Sequence, residues 1–248
     1  MKRVRLDTLL LERGLVTSRE RARALILAGD VRVNGAVATK AGTGVAQDAE
    51  VTLATPDHPY VGRGGLKLAH ALDVFHIRVE GKLALDIGAS TGGFTDVMLQ
   101  RGARKVVALD VGHGQLDWKI RSHPRVVTIE RTNARTLTET ALPADARAFD
   151  VVTVDVSFIS LRHILPVVPP LLLPGADVVA LVKPQFEARR GEVGKGGIVR
   201  DDAVRERVVE EVAVAADALG LTRIAVVDSP IAGMEGNREY LMHLRRHA

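Results

Sequence analysis

Four side chains stand at positions where an α/β fold could do chemistry: Lys67 in Gly64-Gly65-Leu66-Lys67, Asp155 in Val154-Asp155-Val156-Ser157, Lys183 in Leu181-Val182-Lys183-Pro184, and Glu239 in Gly236-Asn237-Arg238-Glu239-Tyr240. Two ammonium groups beside two carboxylates can orient a weak nucleophile and handle its proton. The chain contains no cysteine, so a thiolate nucleophile, a thiolate zinc site and a disulfide framework are all excluded. Asp155 and Lys183 each close an apolar run, and open α/β sheets bind their ligands at the carboxyl ends of strands. Glu239 opens a last strand expected over 239–244. If that strand runs antiparallel, its start reaches the same edge. The plain alternative is surface ion pairing, which is commoner for Lys and Glu in general than for lysines ending buried strands.

A second cluster surrounds the turn Asp86-Ile87-Gly88-Ala89-Ser90-Thr91-Gly92-Gly93-Phe94, where a strand runs into a helix. Glycines at such a turn let the backbone approach a ligand closely. The spacing Gly88, Gly92, Gly93 is not that of a dinucleotide loop, and a carboxylate at Asp86 would disfavour a pyrophosphate. Asp110, 22 residues beyond Gly88, stands where such folds place the acid that binds ribose hydroxyls. A cationic nucleoside fits both acids, and the expected cofactor is S-adenosylmethionine. Its expected contacts are Asp86, Gly88, Ser90, Gly92, Gly93, Phe94, Asp110, Asn133 and Asp155. His113 and Trp118 could border it too, although packing is an equal role for Trp118. No metal is expected.

These residues need a scaffold, and the runs 83–87, 106–111, 126–129, 151–156, 178–182 and 224–227 supply it. They are β-branched and apolar, alternate with helical patterns, and read as strands buried on both faces of a mostly parallel sheet. The expected fold class is α/β, a doubly wound Rossmann-like sheet. A helix over 202–219 should bury Val204, Val208, Val212, Ala215 and Leu219. The segment 184–200, with four glycines and four basic residues, reads as a lid, an RNA-contacting flap or a plain loop.

The first forty residues differ from the rest in charge. They hold nine Lys or Arg against four Asp or Glu, whereas residues 41–248 balance to within one charge. A basic module on a neutral body suits a polyanion. Its order is helix, helix, hairpin: Asp7 can cap a first turn ended by Gly14, Thr17 with Glu20 forms a capping box for a second helix starting near Ser18, and Asn34-Gly35 signals a type I′ hairpin. Lys2, Arg3, Arg5, Arg19 and Arg23 could converge on one phosphate-facing side. Pro59 and Gly62 to Gly65 mark a linker over 58–65, between a domain at 1–57 and one at 66–248.

Composition narrows the function classes further. With 46% apolar residues and only 3% aromatic ones, a real core is available but extensive base stacking is not. The amino terminus has too short an apolar run for a signal peptide, and four prolines break the longest weakly charged stretch, 165–182. A cytoplasmic protein with no membrane role is expected.

The amino-terminal string Arg5-Leu6-Asp7, Ser18-Arg19, Ala22, Ile26, Gly29 and Val31-Arg32-Val33-Asn34-Gly35 resembles the RNA-binding domain first known from ribosomal protein S4. Over nearly its whole length the chain resembles the TlyA family, historically called haemolysins, whose carboxy-terminal domain is similar to FtsJ-type ribose 2′-O-methyltransferases. The motifs are 61–68, 86–94, Asp110-Val111-Gly112-His113-Gly114-Gln115-Leu116, Asp155-Val156-Ser157-Phe158-Ile159-Ser160, Lys183-Pro184-Gln185-Phe186-Glu187 and 236–239. The resemblance implies that Lys67, Asp155, Lys183 and Glu239 are the catalytic tetrad. Glu235 competes with Glu239, which is preferred because it follows Gly-Asn and opens a strand. It also implies ribosomal RNA or ribosomal subunits as partner and cytidine ribose as substrate. On that reading Lys183, if neutral, accepts the 2′-hydroxyl proton, its pKa lowered by burial and by Lys67. Two other readings are a membrane-active haemolysin and a non-catalytic RNA-binding or ribosome-assembly factor.

Overall fold

The structure is a computed structural model and describes residues 3–16, 18–27, 29–53, 58–233 and 235–247. The chain divides into two compact units, Met1–Arg63 and Gly64–Ala248.

The first unit contains β1 (Arg3–Arg5), α1 (Leu6–Glu12), α2 (Arg19–Leu27), β2 (Val31–Val33), β3 (Ala36–Val37), β4 (Gly44–Ala46) and β5 (Val51–Leu53). Leu6, Leu9 and Leu10 of α1 pack against Ala22, Leu25 and Ile26 of α2, with Val31, Val45 and Val51 completing the core. The hairpin forms as its sequence demands: Asn34 and Gly35 both have positive φ, 49° and 81°, and Val33 pairs with Ala36. Thr17 and Lys2 lie outside the described residues. The cap of α2 comes from Ser18, whose Oγ accepts from Arg21 N at 3.0 Å. Asp7 does not cap α1. It lies inside the helix with no exposed surface, because its carboxylate is taken by arginines.

The second unit contains α3 (Gly64–Val74), β6 (Leu83–Ile87), α4 (Gly93–Gln100), β7 (Lys105–Leu109), α5 (Trp118–Arg121), β8 (Val126–Ile129), β9 (Phe149–Val154), β10 (Leu172–Val182), α6 (Pro184–Glu187), α7 (Asp202–Asp217), β11 (Leu221–Asp228) and β12 (Tyr240–Arg246). The strands make one sheet in the order β11-β12-β10-β9-β6-β7-β8. From β10 to β8 neighbours are parallel, while β12 runs antiparallel to both β10 and β11. The chain folds outward from β6 in both directions, so the reversal of winding falls between β6 and β9.

Departures from the expected elements have local causes. The crossover from β9 to β10 is three short 3₁₀ turns and not an α-helix, because Pro166, Pro169 and Pro170 occupy it. Helix α7 ends two residues early and buries Val208, Val212, Ala213 and Ala216, with Val204, Ala215 and Leu219 only at the margin. Among the described residues no helix is long and apolar enough to cross a membrane.

Phe149, at the start of β9, is the largest fully buried side chain and sits in the core with Leu83, Leu172 and Leu244. Phe149→Ala should destabilise this unit by about 3–5 kcal/mol, through lost burial and the cavity left behind. Urea unfolding followed by circular dichroism checks this, and an unchanged midpoint would contradict the assigned core.

Candidate active site

Two strand ends make the floor of the site. The carbonyl of Asp155, just past β9, stands 2.2 Å from where a Cβ on Gly88, just past β6, would lie. Only glycine permits this approach, and its φ of +88° demands glycine as well. The antiparallel start of β12 reaches the same edge: Val182 pairs with Tyr240, so Lys183 and Glu239 are the next positions beyond that pair. Strand order therefore lines up Asp155, Lys183 and Glu239 on β9, β10 and β12.

Each lysine faces its own carboxylate. Lys183 Nζ forms an ion pair with Asp155 Oδ1 at 2.6 Å and donates to Ser157 Oγ at 2.9 Å. Lys67, in the first turn of α3, donates to Glu239 Oε2 at 2.5 Å. Lys67 and Glu239 are both buried, so a short charge-assisted bond replaces the water each has lost. Gly233 presses on this pair, since a Cβ there would lie 2.6 Å from Glu239 Oε1. Glu235 is exposed and faces Gly197.

Beside Asp155 opens a cavity of about 490 Å³, within the range of small-ligand sites. Gly88, Ser90, Asp110, Asn133 and Asp155 line it, together with Val111, Thr132, Arg135, Ser157 and Phe158. Asp110 is oriented by two backbone donors, Ser90 N at 2.8 Å and Gly112 N at 2.7 Å. Its carboxylate keeps lone pairs for further donors. Asn133 accepts from Arg135 N and caps the turn that follows.

Four of the expected cofactor contacts sit behind this wall. Asp86 is fully buried, its oxygens accepting from Thr95 Oγ1 at 2.6 Å and Thr153 Oγ1 at 2.8 Å, because its strand position points it under α4. Phe94 packs against Gly64. Gly92 and Gly93 begin α4, and a Cβ on Gly92 would lie 2.9 Å from Leu116 Cδ1. His113 pairs with Glu130, while Trp118 is 76% exposed and neither packs nor lines the cavity.

Two contributors escaped the sequence reading of roles. Ser157 supports Lys183, and its signal is proximity to Asp155 at a strand end. Phe158 is 92% exposed with φ +64°, strained for a bulky residue, and tilts against Phe186 at 5.2 Å. Nothing in sequence separates such a phenylalanine from a core one. The segment 184–200 is tied at both ends. Glu187 accepts from Ser160 Oγ and Leu161 N, and buried Asn237 accepts from Val199 N and donates to Gly197 O.

In the first unit Arg5, Arg19 and Arg23 gather on Asp7, whose carboxyl they hold well below the usual carboxylate range. The paired hydrogen bonds from Arg5 contribute most, and burial works against them. Arg3 is exposed on β1 and lies along Gly44, apart from that group.

Comparison with known proteins meets the same division. An FtsJ-like methyltransferase family matches residues 60–246, and an S4 domain matches residues 4–51. The chain is 48% identical over 245 residues to the 16S/23S rRNA (cytidine-2′-O)-methyltransferase TlyA of Mycobacterium tuberculosis, covering 98% of this chain and 90% of that one. The chain belongs to the TlyA family of FtsJ-like methyltransferases. Another relative is Hemolysin A of Brachyspira hyodysenteriae, 43% identical over 97% of this chain and 99% of that one. A solved Streptococcus thermophilus protein carrying the hemolysin name superposes with TM-score 0.78 at 44% identity, over 100% of this chain and 90% of that one.

Within this methyltransferase unit, burial pushes the Asp86 carboxyl up to about 6 against the hydrogen bonds from Thr95 and Thr153. Its folded value thus exceeds its unfolded one of about 4. The stability due to the protonated group is full below pH 4 and is lost as pH climbs to 6. Asp86→Asn removes this titration. The variant's stability relative to wild type should rise by on the order of 3 kcal/mol between pH 4 and pH 7. Urea midpoints at the two pH values measure it, and parallel pH profiles would contradict the buried, titrating Asp86.

Proposed function

We propose that the protein is an S-adenosylmethionine-dependent 2′-O-methyltransferase acting on a cytidine ribose of ribosomal RNA, with RNA held by the amino-terminal unit through Arg5, Arg19 and Arg23 and with Arg3 adding charge. The observation that carries this is the Lys183–Asp155 pair, whose carboxylate lines the same cavity as Gly88, Ser90 and Asp110. A cavity for a cationic nucleoside and a proton-handling pair then share one strand edge. The activity for which the Mycobacterium tuberculosis relative is named, rRNA (cytidine-2′-O)-methylation, supports the same reaction.

The residues present fit the cofactor. The Gly88 cradle admits it, Asp110 offers acceptors for ribose hydroxyls, Asn133 borders the far side, and Asp155 gives a negative wall for a cation. Bound there, S-adenosylmethionine supplies an electrophilic methyl group on a sulfonium. The chain's own residues do the rest. Lys183, braced by Asp155 and Ser157, fixes the 2′-hydroxyl oxygen and accepts its proton as it passes one of its own to the Asp155 carboxylate, where the proton ends. Lys67 and Glu239, bonded in a dry setting, hold the neighbouring side of the hydroxyl in place. Oriented charges in a low-dielectric site need little reorganisation during the reaction.

Incubating the protein with ribosomal subunits and methyl-labelled cofactor tests the reading, and the absence of label in RNA would leave a binding protein without turnover. Lys183→Ala should abolish transfer while both ligands stay bound, because the role belongs to the transition state. Lys183→Arg should fail too, since a guanidinium keeps charge but does not release a proton near neutral pH. Near-normal single-turnover rates in the Arg variant would assign Lys183 a purely electrostatic role. Asp110→Ala should weaken cofactor binding by about 1–3 kcal/mol, measured by calorimetry. Unchanged affinity would remove Asp110 from the site.

A further inference from the structure

Arg5 ends β1, and Arg19 and Arg23 lie one turn apart on α2. All three guanidiniums meet at a single carboxylate. Arg5 donates through Nε to Asp7 Oδ1 at 3.0 Å and through Nη2 to Oδ2 at 2.8 Å, Arg19 Nη2 reaches Oδ2 at 3.4 Å, and Arg23 Nε reaches the same oxygen at 3.3 Å. The Asp7 side chain has no exposed surface, whereas the three arginine side chains are 45–51% exposed. Gly42 leaves room for the Arg5 fork, since a Cβ there would lie 3.2 Å from Nη1.

This arrangement differs from an ordinary surface ion pair. A guanidinium carries five N–H donors, and each arginine spends only one or two on Asp7. Among the described residues the remaining donors have no partner and can serve a ligand. Three like charges from two elements, β1 and α2, would otherwise spread apart into water, with long side chains losing rotamer freedom only on binding. The buried carboxylate gathers them beforehand, and it is itself out of reach of any incoming phosphate. We propose that Asp7 is a positioning residue that presents Arg5, Arg19 and Arg23 as one preformed site for a backbone phosphate of RNA. The inference rests on the reading of this unit as RNA-binding and adds what organises it.

Simple charge counting and this proposal disagree in sign. Removing a negative charge by Asp7→Asn should tighten RNA binding and steepen its salt dependence if Asp7 merely neutralises its neighbours. If Asp7 positions them, the same variant binds more weakly despite its added positive charge. The experiment measures binding of the full-length protein to protein-free ribosomal RNA between 50 and 200 mM salt, values chosen to span the steep range. Asp7→Asn should raise Kd about three- to tenfold with a shallower salt slope, and should raise KM for RNA while leaving kcat unchanged. Arg5→Lys keeps the charge but loses the two-pronged grip, and it should show the same loss even if Asp7→Asn folds poorly. Tighter binding with a steeper slope in Asp7→Asn overturns the proposal, as does wild-type affinity in Arg5→Lys. The double variant Arg19→Ala/Arg23→Ala separates the two levels. Wild-type RNA affinity there defeats the RNA-binding reading itself, whereas loss there with no effect of Asp7→Asn or Arg5→Lys defeats only the positioning role.

Discussion

The approach of the Asp155 carbonyl to the backbone of Gly88 constrains everything else at the site. Any side chain at residue 88 would force β6 and β9 apart at their carboxyl ends. With them would go the alignment between the turn that leads to Ser90 and Asp110 and the carboxylate that meets Lys183. From Asp155 the geometry propagates sideways through sheet hydrogen bonds, to β10 and then to the reversed β12. Sheet register is rigid, so side chains far apart in sequence are held at one edge with little freedom to drift.

The electrostatics there are divided between two depths. Lys67 and Glu239 lie buried, where a bond between charges must replace the hydration of both. Lys183 and Asp155 lie nearer the cavity and keep partners on its wall. Asp86 sits behind that wall, close enough to Asp155 for like-charge repulsion to add to its burial. Thr95 and Thr153 reduce that cost by donating to it, and in doing so they tie α4 and β9 to the end of β6.

The amino-terminal unit solves a different problem with the same means. Three of its arginines are drawn together by one buried carboxylate. Asp7 links β1, α1 and α2 through its arginines, so the short elements of a small domain gain polar ties beside those of its modest core.

Periodicity and turn chemistry were legible along the chain. Strands at 83–87 and 126–129, the Asn34-Gly35 hairpin, the mostly parallel sheet and the glycine turn at Gly88 follow from local physics, because β-branched runs and positive-φ residues restrict the backbone wherever they occur. The residue types for proton handling were legible too, since lysines and carboxylates at strand ends stand out from surface charge. Other features depended on what meets in space. Which lysine pairs with which carboxylate, the burial of Asp86 behind the wall, the exposure of Phe158 and the convergence of three arginines on Asp7 were decided by tertiary packing. The lysine–carboxylate pairs join residues 28 and 172 positions apart, two of the arginines reach Asp7 from 12 and 16 positions away, and burial depends on the face a side chain is given once neighbours close around it, so no local pattern encodes them.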